Sequence, residues 1–384
     1  MEKSVVVVAA MRTTVGRRDG GWSTVHPARL LGTVQRAVLG NLDPALVGQV
    51  IGGTVTQAGE QSFNLARTAW LAEGLPEQVP ATTVDAQCGS SQQAFTLAAG
   101  LVSSGITDIA LACGVESMSR IPIGAAYRKE LGLGRPVPKA YQRHYEFVNQ
   151  FKSAERIADR YGIDRDRADE FGLLSQQRAA AAWAQGRFDG QVVTGPAETE
   201  AGEPVTVARD EGLRETGRDK LAGLKPVLPD GIHTAGSSSQ ISDGASAVLL
   251  MTEDRAAALG LTPLARVVDS LLVGVDPVMM LLGPHEAVPA LLERNGRTLD
   301  DIGLIEINEA FASVVLSFID ELKADPDTIN PNGGAIALGH PLGATGGVLI
   351  TKATHEMNRS QGRYAMITMC CGGGLGTATL LERL

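Results

Sequence analysis

Cys88 stands at a junction. In TTVDAQCGSSQQAFTLAAG (residues 82–100) it follows a β-branched run and precedes a stretch in which Ala94, Leu97, Ala98 and Leu101 recur at helical spacing. The sulfur is therefore expected at a helix N-terminus, where roughly half a positive charge, together with a neighbouring base, draws a thiol from a pKa of ~8.5 toward neutrality and makes a nucleophile. An isolated cysteine is more simply a small buried hydrophobe, but two further stretches reverse that balance. NPNGGAIALGHPLGATGG (330–347) sets His340 between Gly339 and Pro341 in an almost uncharged segment with six glycines. Proline after the histidine keeps it off the helix, the glycines let backbone approach a ligand, and a neutral imidazole there suits a general base. MITMCCGGGLGTATL (366–380) ends a strand on Cys370 and Cys371. Neighbours on a strand point to opposite faces, so at most one of these sulfurs faces a pocket and packing accounts for the other. In INEAFAS (307–313), Asn308 and Glu309 close an apolar strand. Asn308 is there either a helix N-cap or a side chain that fixes a water or an oxyanion.

These residues can act together only if strands and helices bring them to one place. Runs rich in Val and Ile at 4–10, 49–55, 80–84, 107–113, 304–308 and 364–370 alternate with helix-period stretches and glycine punctuation, which predicts α/β layers. Near-continuous apolar runs such as DIALACG (108–114) and AMITMCC (365–371) predict sheets covered on both faces. Between about 118 and 240 the texture changes to interleaved charges, Pro and Gly, with a helix SAERIADRYG capped by Ser153 and stopped by Gly162 and a longer one after Asp164. This reads as an insertion. Beyond Pro263 the α/β texture returns, and the order strand, polar residue, helix around Cys88 is echoed at 304–322 and 330–347, which suggests a distant duplication. The expected units are 1–117 plus 241–262, the insertion 118–240, and 263–384.

The chain's 384 residues, 44% of them hydrophobic, leave room for two or three cores at roughly 150 residues each. With 34 basic against 43 acidic residues and a net charge of -9, neither nucleic acid nor an anionic membrane is the expected partner. The apolar run from Val5 to Met11 is too short for a membrane span and reads as a first, buried strand. The four cysteines, at 88, 113, 370 and 371, form neither a disulfide framework nor a metal-ligand spacing. Reduced thiols in a cytoplasmic protein without a metal are expected, with Cys113 in the core.

Taken jointly, VDAQCGSSQQA, NEAFAS, GGAIALGHPLGATG and CCGGGLGT resemble the thiolases, acyl-CoA C-acyltransferases, and the likeness runs over essentially the whole chain. GIHTAGSSSQISDGASAVLL (231–250) resembles the family's segment beside the pantetheine of coenzyme A. The resemblance implies two duplicated, five-layered α/β/α/β/α halves with an inserted loop domain covering coenzyme A, assembled as a homodimer or homotetramer. It implies thiolytic cleavage of a 3-ketoacyl-CoA, with coenzyme A as co-substrate, in lipid or steroid degradation. Carried over by motif, Cys88 takes the acyl group, His340 activates it, and Cys370, one residue before the glycine triplet, is the acid/base sulfur. Asn308 orients a water that forms one oxyanion site with His340, the backbone N–H groups of Cys88 and Gly372 form the other, and Ser239 meets pantetheine. Arg214, with Arg218, Lys220 and Lys225, is a candidate for the phosphates of coenzyme A.

Two departures stand out. Ser91 occupies the fourth place of a pattern that is commonly C-G-S-G, and Asn149, before Gln150 and Phe151, stands where many short-chain members carry histidine. The overall look is closest to bacterial thiolases of steroid and other bulky-substrate degradation. A ketoacyl-synthase-like condensing enzyme is the alternative, but that chemistry normally needs two histidines. Only His340 sits in a suitable motif; His26, His144, His233, His285 and His355 are expected at the surface, although His233 is able to approach the ligand-binding segment. A catalytically inactive CoA- or lipid-binding relative is disfavoured because all four functional positions are filled.

Overall fold

The computed structural model describes residues 3–384 apart from 128, 133, 196 and 200. The first half runs β1 (Val5–Thr13), α1 (Pro27–Leu39), β2 (Gln49–Gly53), α2 (Leu65–Ala72), β3 (Ala81–Val84), α3 (Ser90–Ser103) and β4 (Ile109–Ser117). After α4 (Gln150–Tyr161) and α5 (Arg165–Ala184) the chain returns to the same sheet as β5 (Ser242–Thr252). The second half runs β6 (Ala265–Gly274), α6 (Gly283–Arg294), β7 (Leu304–Ile307), α7 (Ala312–Leu322), α8 (Thr345–Ser360), β8 (Tyr364–Cys371) and β9 (Leu375–Glu382).

Strand order is β7-β8-β9-β6-β1-β5-β4-β2-β3, with the two halves joined at Val6↔Arg266 and Val7↔Ala265. Inside each half the pairing pattern is the same. A parallel pair, β2 with β4 or β7 with β8, is followed by two antiparallel pairs, β4-β5-β1 or β8-β9-β6. The register matches as well: Gly53 lies opposite Gly114, and Ile307 opposite Thr368. The echo expected from the sequence is thus a repeated topology.

Helices α1 and α2 cover the outer face of the first sheet, packing Leu31, Val34 and Trp70 on Val50, Leu111 and Leu249. Helices α3 and α8 lie between the sheets, where Phe95, Ala98 and Ile350 meet Ala112, Leu250, Ile367 and Leu381. On the far side, Leu291 of α6 and Val315 and Phe318 of α7 pack with Ile305, Met366 and Leu380. The α/β/α/β/α stack therefore spans the molecule as a whole. Each half supplies one sheet and one outer layer, and the central helices are shared; without them the inner face of each sheet would lie bare to water.

Several local expectations are corrected. β5, β6 and β9 fall outside the runs read as strands, because SDGASAVLLMT and LGTATLLE lean on Gly, Ala, Ser and Thr, and β6 carries Asp269 and Ser270. The buried face of α3 is Ala94, Phe95, Ala98, Ala99 and Val102, whereas Leu97 is 40% exposed. α4 begins at Gln150, capped by Asn149, whose Oδ1 accepts from the Lys152 N–H at 2.9 Å; Ser153 is buried inside the first turn. Gly162 does end α4, at φ +62, and Asp164 caps α5.

The inserted segment is tied to the first sheet by a buried ion pair. Arg12 donates to both oxygens of Asp210, at 2.7 and 2.9 Å, and Asp210 also accepts from Trp183 Nε1 and the Val15 N–H. Among the described residues no helix is long and apolar enough to cross a membrane.

Candidate active site

A sharp turn carries Cys88 from β3 into α3. Asp85 Oδ1 accepts from the Gln87 N–H at 2.7 Å, Gln87 adopts φ +52, and Ser90 Oγ accepts from the Ala86 N–H while donating to the Gln87 carbonyl. Cys88 then lies on the wall of a cleft of roughly 120 Å³ with Val55, Thr56, Gln87, Ile123, Gly124, Ala126, Tyr127, Gln150 and Leu342. Burial pushes its thiol up to about 11, although N–H groups of Gly372, Gln150 and Cys88 itself act in the opposite direction. Cys88 therefore rests as a thiol, not the thiolate expected from the helix N-terminus: desolvation outweighs the dipole.

The departure at Ser91 has a structural account. α3 and α8 meet at their N-terminal turns, close enough that a Cβ on Gly346 would lie 2.4 Å from the Gln92 nitrogen. There Ser91 Oγ accepts from the Gly347 N–H at 2.9 Å, one of the N–H groups that the start of α8 leaves unpaired. Gln92, fully buried, reaches the other half through the Ile367 carbonyl, Thr379 Oγ1 and Thr377 Oγ1.

His340 is placed by backbone that only glycine allows before it. Gly339 has φ +110, and a Cβ there would come within 2.4 Å of Ser242 Oγ, which accepts from the His340 N–H. His340 Nδ1 lies 2.6 Å from Thr345 Oγ1, which itself donates to the Pro341 carbonyl at 2.9 Å. With that hydroxyl proton committed, Nδ1 is the ring donor and Nε2 keeps its lone pair. Nε2 faces Asn308 Nδ2 at 3.4 Å. Burial pushes the imidazole down to about 4, so it is neutral at ordinary pH.

Asn308 follows β7 directly, and α7 begins only at Ala312 with Phe311 in the capping place, so the N-cap reading of Asn308 is overturned. Its Oδ1 is buried without a partner among the described residues. Glu309 turns away and clamps the Gly-rich segment, accepting from Ser175 Oγ, Asn330 Nδ2 and the Ile336 N–H.

The alternation of β8 separates the paired cysteines. Cys370 packs with Ala310, Phe311, Val314 and Met280. Cys371 packs on the α3 side against Gly89, where a Cβ would lie 2.6 Å from its sulfur. Burial first, and then the nearby Cys88 sulfur, push the Cys370 thiol well above its usual value. Cys113 is core, as expected, with Gln35 Nε2 3.5 Å from its sulfur. All four cysteines are free thiols.

The ligand-segment residues lie beside this centre. Ser237 and Ser239 pair with the Ala310–Ala312 backbone through the Ala312 N–H and the Ser239 N–H, which sets half-buried Ser239 against the loop that carries Asn308. Arg214 is exposed and lines two other clefts, away from the Cys88 cleft, donating to the Ala235 carbonyl. Arg218 is paired with Glu170, and Lys220 donates to the Glu215 carbonyl.

Two of the histidines expected at the surface are not there. His233 and His285 are buried; His233 packs on Phe311, bonds Ser313 Oγ at 2.9 Å and pairs with Glu155, holding the ligand segment together. His26 caps α1 and His355 meets the Ala10 carbonyl, while His144 is exposed. Pattern reading placed these rings outside because it sees polarity, not the partner that allows burial.

The family models for the thiolase N-terminal and C-terminal domains match residues 5–254 and 261–383. This chain is a thiolase. It is 45% identical to a steroid 3-ketoacyl-CoA thiolase (FadA6) of Mycobacterium tuberculosis over 98% of this chain and 94% of that protein. It is 41% identical to a 3-ketoacyl-CoA thiolase of Bacillus subtilis over 99% of both chains. The crystal structure of human mitochondrial 3-ketoacyl-CoA thiolase superposes with a TM-score of 0.90 at 34% identity, covering 100% of this chain and 99% of that one. The chain is thus an acyltransferase of a family that uses coenzyme A as co-substrate.

Three residues of this thiolase's site escaped sequence reasoning. Thr345 orients His340, Gln150 reaches the Cys88 sulfur, and Glu116 accepts from the N–H groups of Val55, Thr56 and Gly343 and from Gln61 Nε2. A glutamate at the end of the apolar run IALACGVES was the one visible signal. Among the described residues no group of three His, Cys, Asp or Glu side chains is arranged to hold a metal ion.

Proposed function

We propose that this thiolase cleaves a 3-ketoacyl-CoA with coenzyme A through an acyl-enzyme on Cys88. The observation that carries the reading is the setting of one sulfur: Cys88 lies on the wall of a cleft with Gln150 Nε2 3.9 Å from its Sγ and the Gly372 backbone beside that amide, and the Gly372 N–H and the Cys370 thiol are near enough to bear on its titration. His340 is tied to the same cleft through Leu342, two residues on.

In this scheme His340 Nε2 takes the Cys88 proton as the sulfur attacks the 3-keto carbon. The oxyanion that forms is held by the Cys88 and Gly372 N–H groups. The bond between Cα and Cβ then breaks and leaves the enolate of acetyl-CoA, whose oxygen is met by the imidazolium N–H and by a water on Asn308. Cys370 gives its proton to the enolate carbon, a task that needs a thiol protonated at rest, as burial ensures. As thiolate it then takes the proton of the incoming coenzyme A. The coenzyme A sulfur displaces Cys88 from the acyl group, and Cys88 recovers its proton from His340. Ser239 and Arg214 serve coenzyme A, the covering segment is 118–240, and the working form is a homodimer or homotetramer in the cytoplasm.

Among the described residues the lining of the cleft beside Cys88 carries no charged side chain, and an uncharged acyl group is desolvated there at less cost than one ending in a carboxylate. An uncharged acyl group, of lipid or steroid type, meets that lining without the cost. Incubation with such a 3-ketoacyl-CoA followed by peptide mass spectrometry is expected to find the acyl group on Cys88. Full activity in Cys88→Ser, with no acylated peptide in the wild type, would remove the proposal.

A further inference from the structure

Gln150 is the first residue of α4, and the turn that presents it is firmly held. Asn149 caps the helix, Val148 is buried, and Phe151 packs edge-on against Phe311 with ring centroids 5.0 Å apart. From there Gln150 Nε2 lies 3.9 Å from Cys88 Sγ. The same nitrogen would be 3.3 Å from a Cβ on Gly372, so it sits over the backbone whose N–H also reaches that sulfur. The rest of the cleft offers apolar groups, hydroxyls and the Gln87 amide, whose oxygen lies beside Gly372 on the other side.

We propose that Gln150 is a hydrogen-bond donor to the nucleophile, so that seating of the covering segment sets the reactivity of Cys88. The proposal rests on Cys88 being the nucleophile. A neutral amide suits this task. An N–H to sulfur contact is weak while the sulfur is a thiol and strengthens as negative charge develops, so the donor acts where the charge forms; a lysine there would instead trap the thiolate in a lasting ion pair. Leucine or methionine at this place fills the same space without a donor.

The test reads the thiol itself in the full-length protein. Alkylation of the Cys88 peptide by short iodoacetamide pulses is followed by mass spectrometry from pH 6 to 12.5 in wild type, Gln150→Leu, Gln150→Met and Gln150→Glu. Losing one neutral donor is expected to raise the apparent pKa of alkylation by roughly 0.4 to 1 in both apolar variants. The rate at neutral pH should fall only about two- to threefold, because a more basic thiolate is also more nucleophilic. Gln150→Glu should raise the pKa further, and the KM for coenzyme A should stay within about twofold in the apolar variants. A merely structural role would not move the alkylation pKa. Wild-type pKa values in Gln150→Leu and Gln150→Met, or a lower one in Gln150→Glu, would overturn the proposal; should the leucine variant not fold, the methionine variant decides. Because the label is read on the Cys88 peptide, this result is independent of whether Cys88→Ser abolishes thiolysis.

Discussion

Replacing His340 by glutamine isolates one buried proton. Burial holds the imidazole neutral, with its pKa pushed down from 6.5 to about 4. Unfolding returns the ring to water, so between those two values the unfolded chain binds a proton that the folded chain refuses. The contribution to stability is fully present above pH 6.5 and is lost as the pH falls toward 4. At 1.36 kcal/mol per pK unit the loss between pH 7.5 and 4.5 is about 2.5 kcal/mol. His285 and His355 are also pushed down by burial, and carboxylates titrate in the same range, so the total acid loss of the wild type is larger. The variant shares those other groups, and the difference between the two proteins cancels them. Guanidinium denaturation followed by tryptophan fluorescence, at matched protein concentration, is the assay; Trp22 and Trp70 are fully buried and report unfolding. His340→Gln should be less stable than wild type at pH 7.5 through lost packing, and that gap should narrow by about 2.5 kcal/mol at pH 4.5. A gap unchanged between the two pH values would mean that the folded ring protonates as readily as a free one. The neutral resting base would then be wrong.

Asn308→Ala should lower turnover on the order of 100- to 1000-fold while leaving the circular dichroism melt nearly in place, since its Oδ1 has no partner to lose; a melt that collapses with activity would reassign it as structural. Cys370→Ala should keep iodoacetamide labelling of Cys88 while thiolysis falls by about 100-fold or more, and loss of labelling would contradict the division of roles. Asp210→Ala leaves Arg12 buried and unpaired, so a loss of about 3–5 kcal/mol is expected in denaturant titration. Ser91→Ala strands the Gly347 N–H and should cost about 1–3 kcal/mol by the same measurement, with the Cys88 labelling rate unchanged.

Much of the candidate site was legible because its reactive side chains sit at punctuation. Cys88, His340, Asn308 and Cys370 each lie where an apolar run meets glycine or a polar residue, and local pattern finds such places. What pattern could not supply were facts settled by other segments. The Cys88 thiol is governed less by its own helix than by its burial, and the surface reading of His233 failed because Glu155, Ser313 and Phe311 receive it from distant positions. Two of the three overlooked strands, β5 and β9, are rich in small residues, whose place in the sheet is decided by neighbours on both sides rather than by β propensity, and the third, β6, is interrupted by Asp269 and Ser270. The α/β/α/β/α layering came from the family resemblance and not from local pattern, since nothing local says that two sheets share one pair of helices.

The duplicated topology also gives positions of the second half counterparts in the first. By strand register, Thr54 after β2 is the counterpart of Asn308 after β7, and Glu116 in β4 is the counterpart of Cys370 in β8. In the second half these positions carry the amide that faces His340 and the Cys370 thiol. In the first half the same place carries a carboxylate whose four partners, the N–H groups of Val55, Thr56 and Gly343 and the Gln61 amide, are all donors. Burial pushes Glu116 up, but a protonated acid would set a donor against those donors, so the carboxylate charge is what the geometry accommodates. Through Gly343 it holds the loop that follows His340, and through Val55 and Thr56 it holds the wall of the Cys88 cleft. From the first half the glutamate therefore ties the loop that follows His340 to the wall that carries Cys88, while its strand-register twin in the second half is the Cys370 thiol.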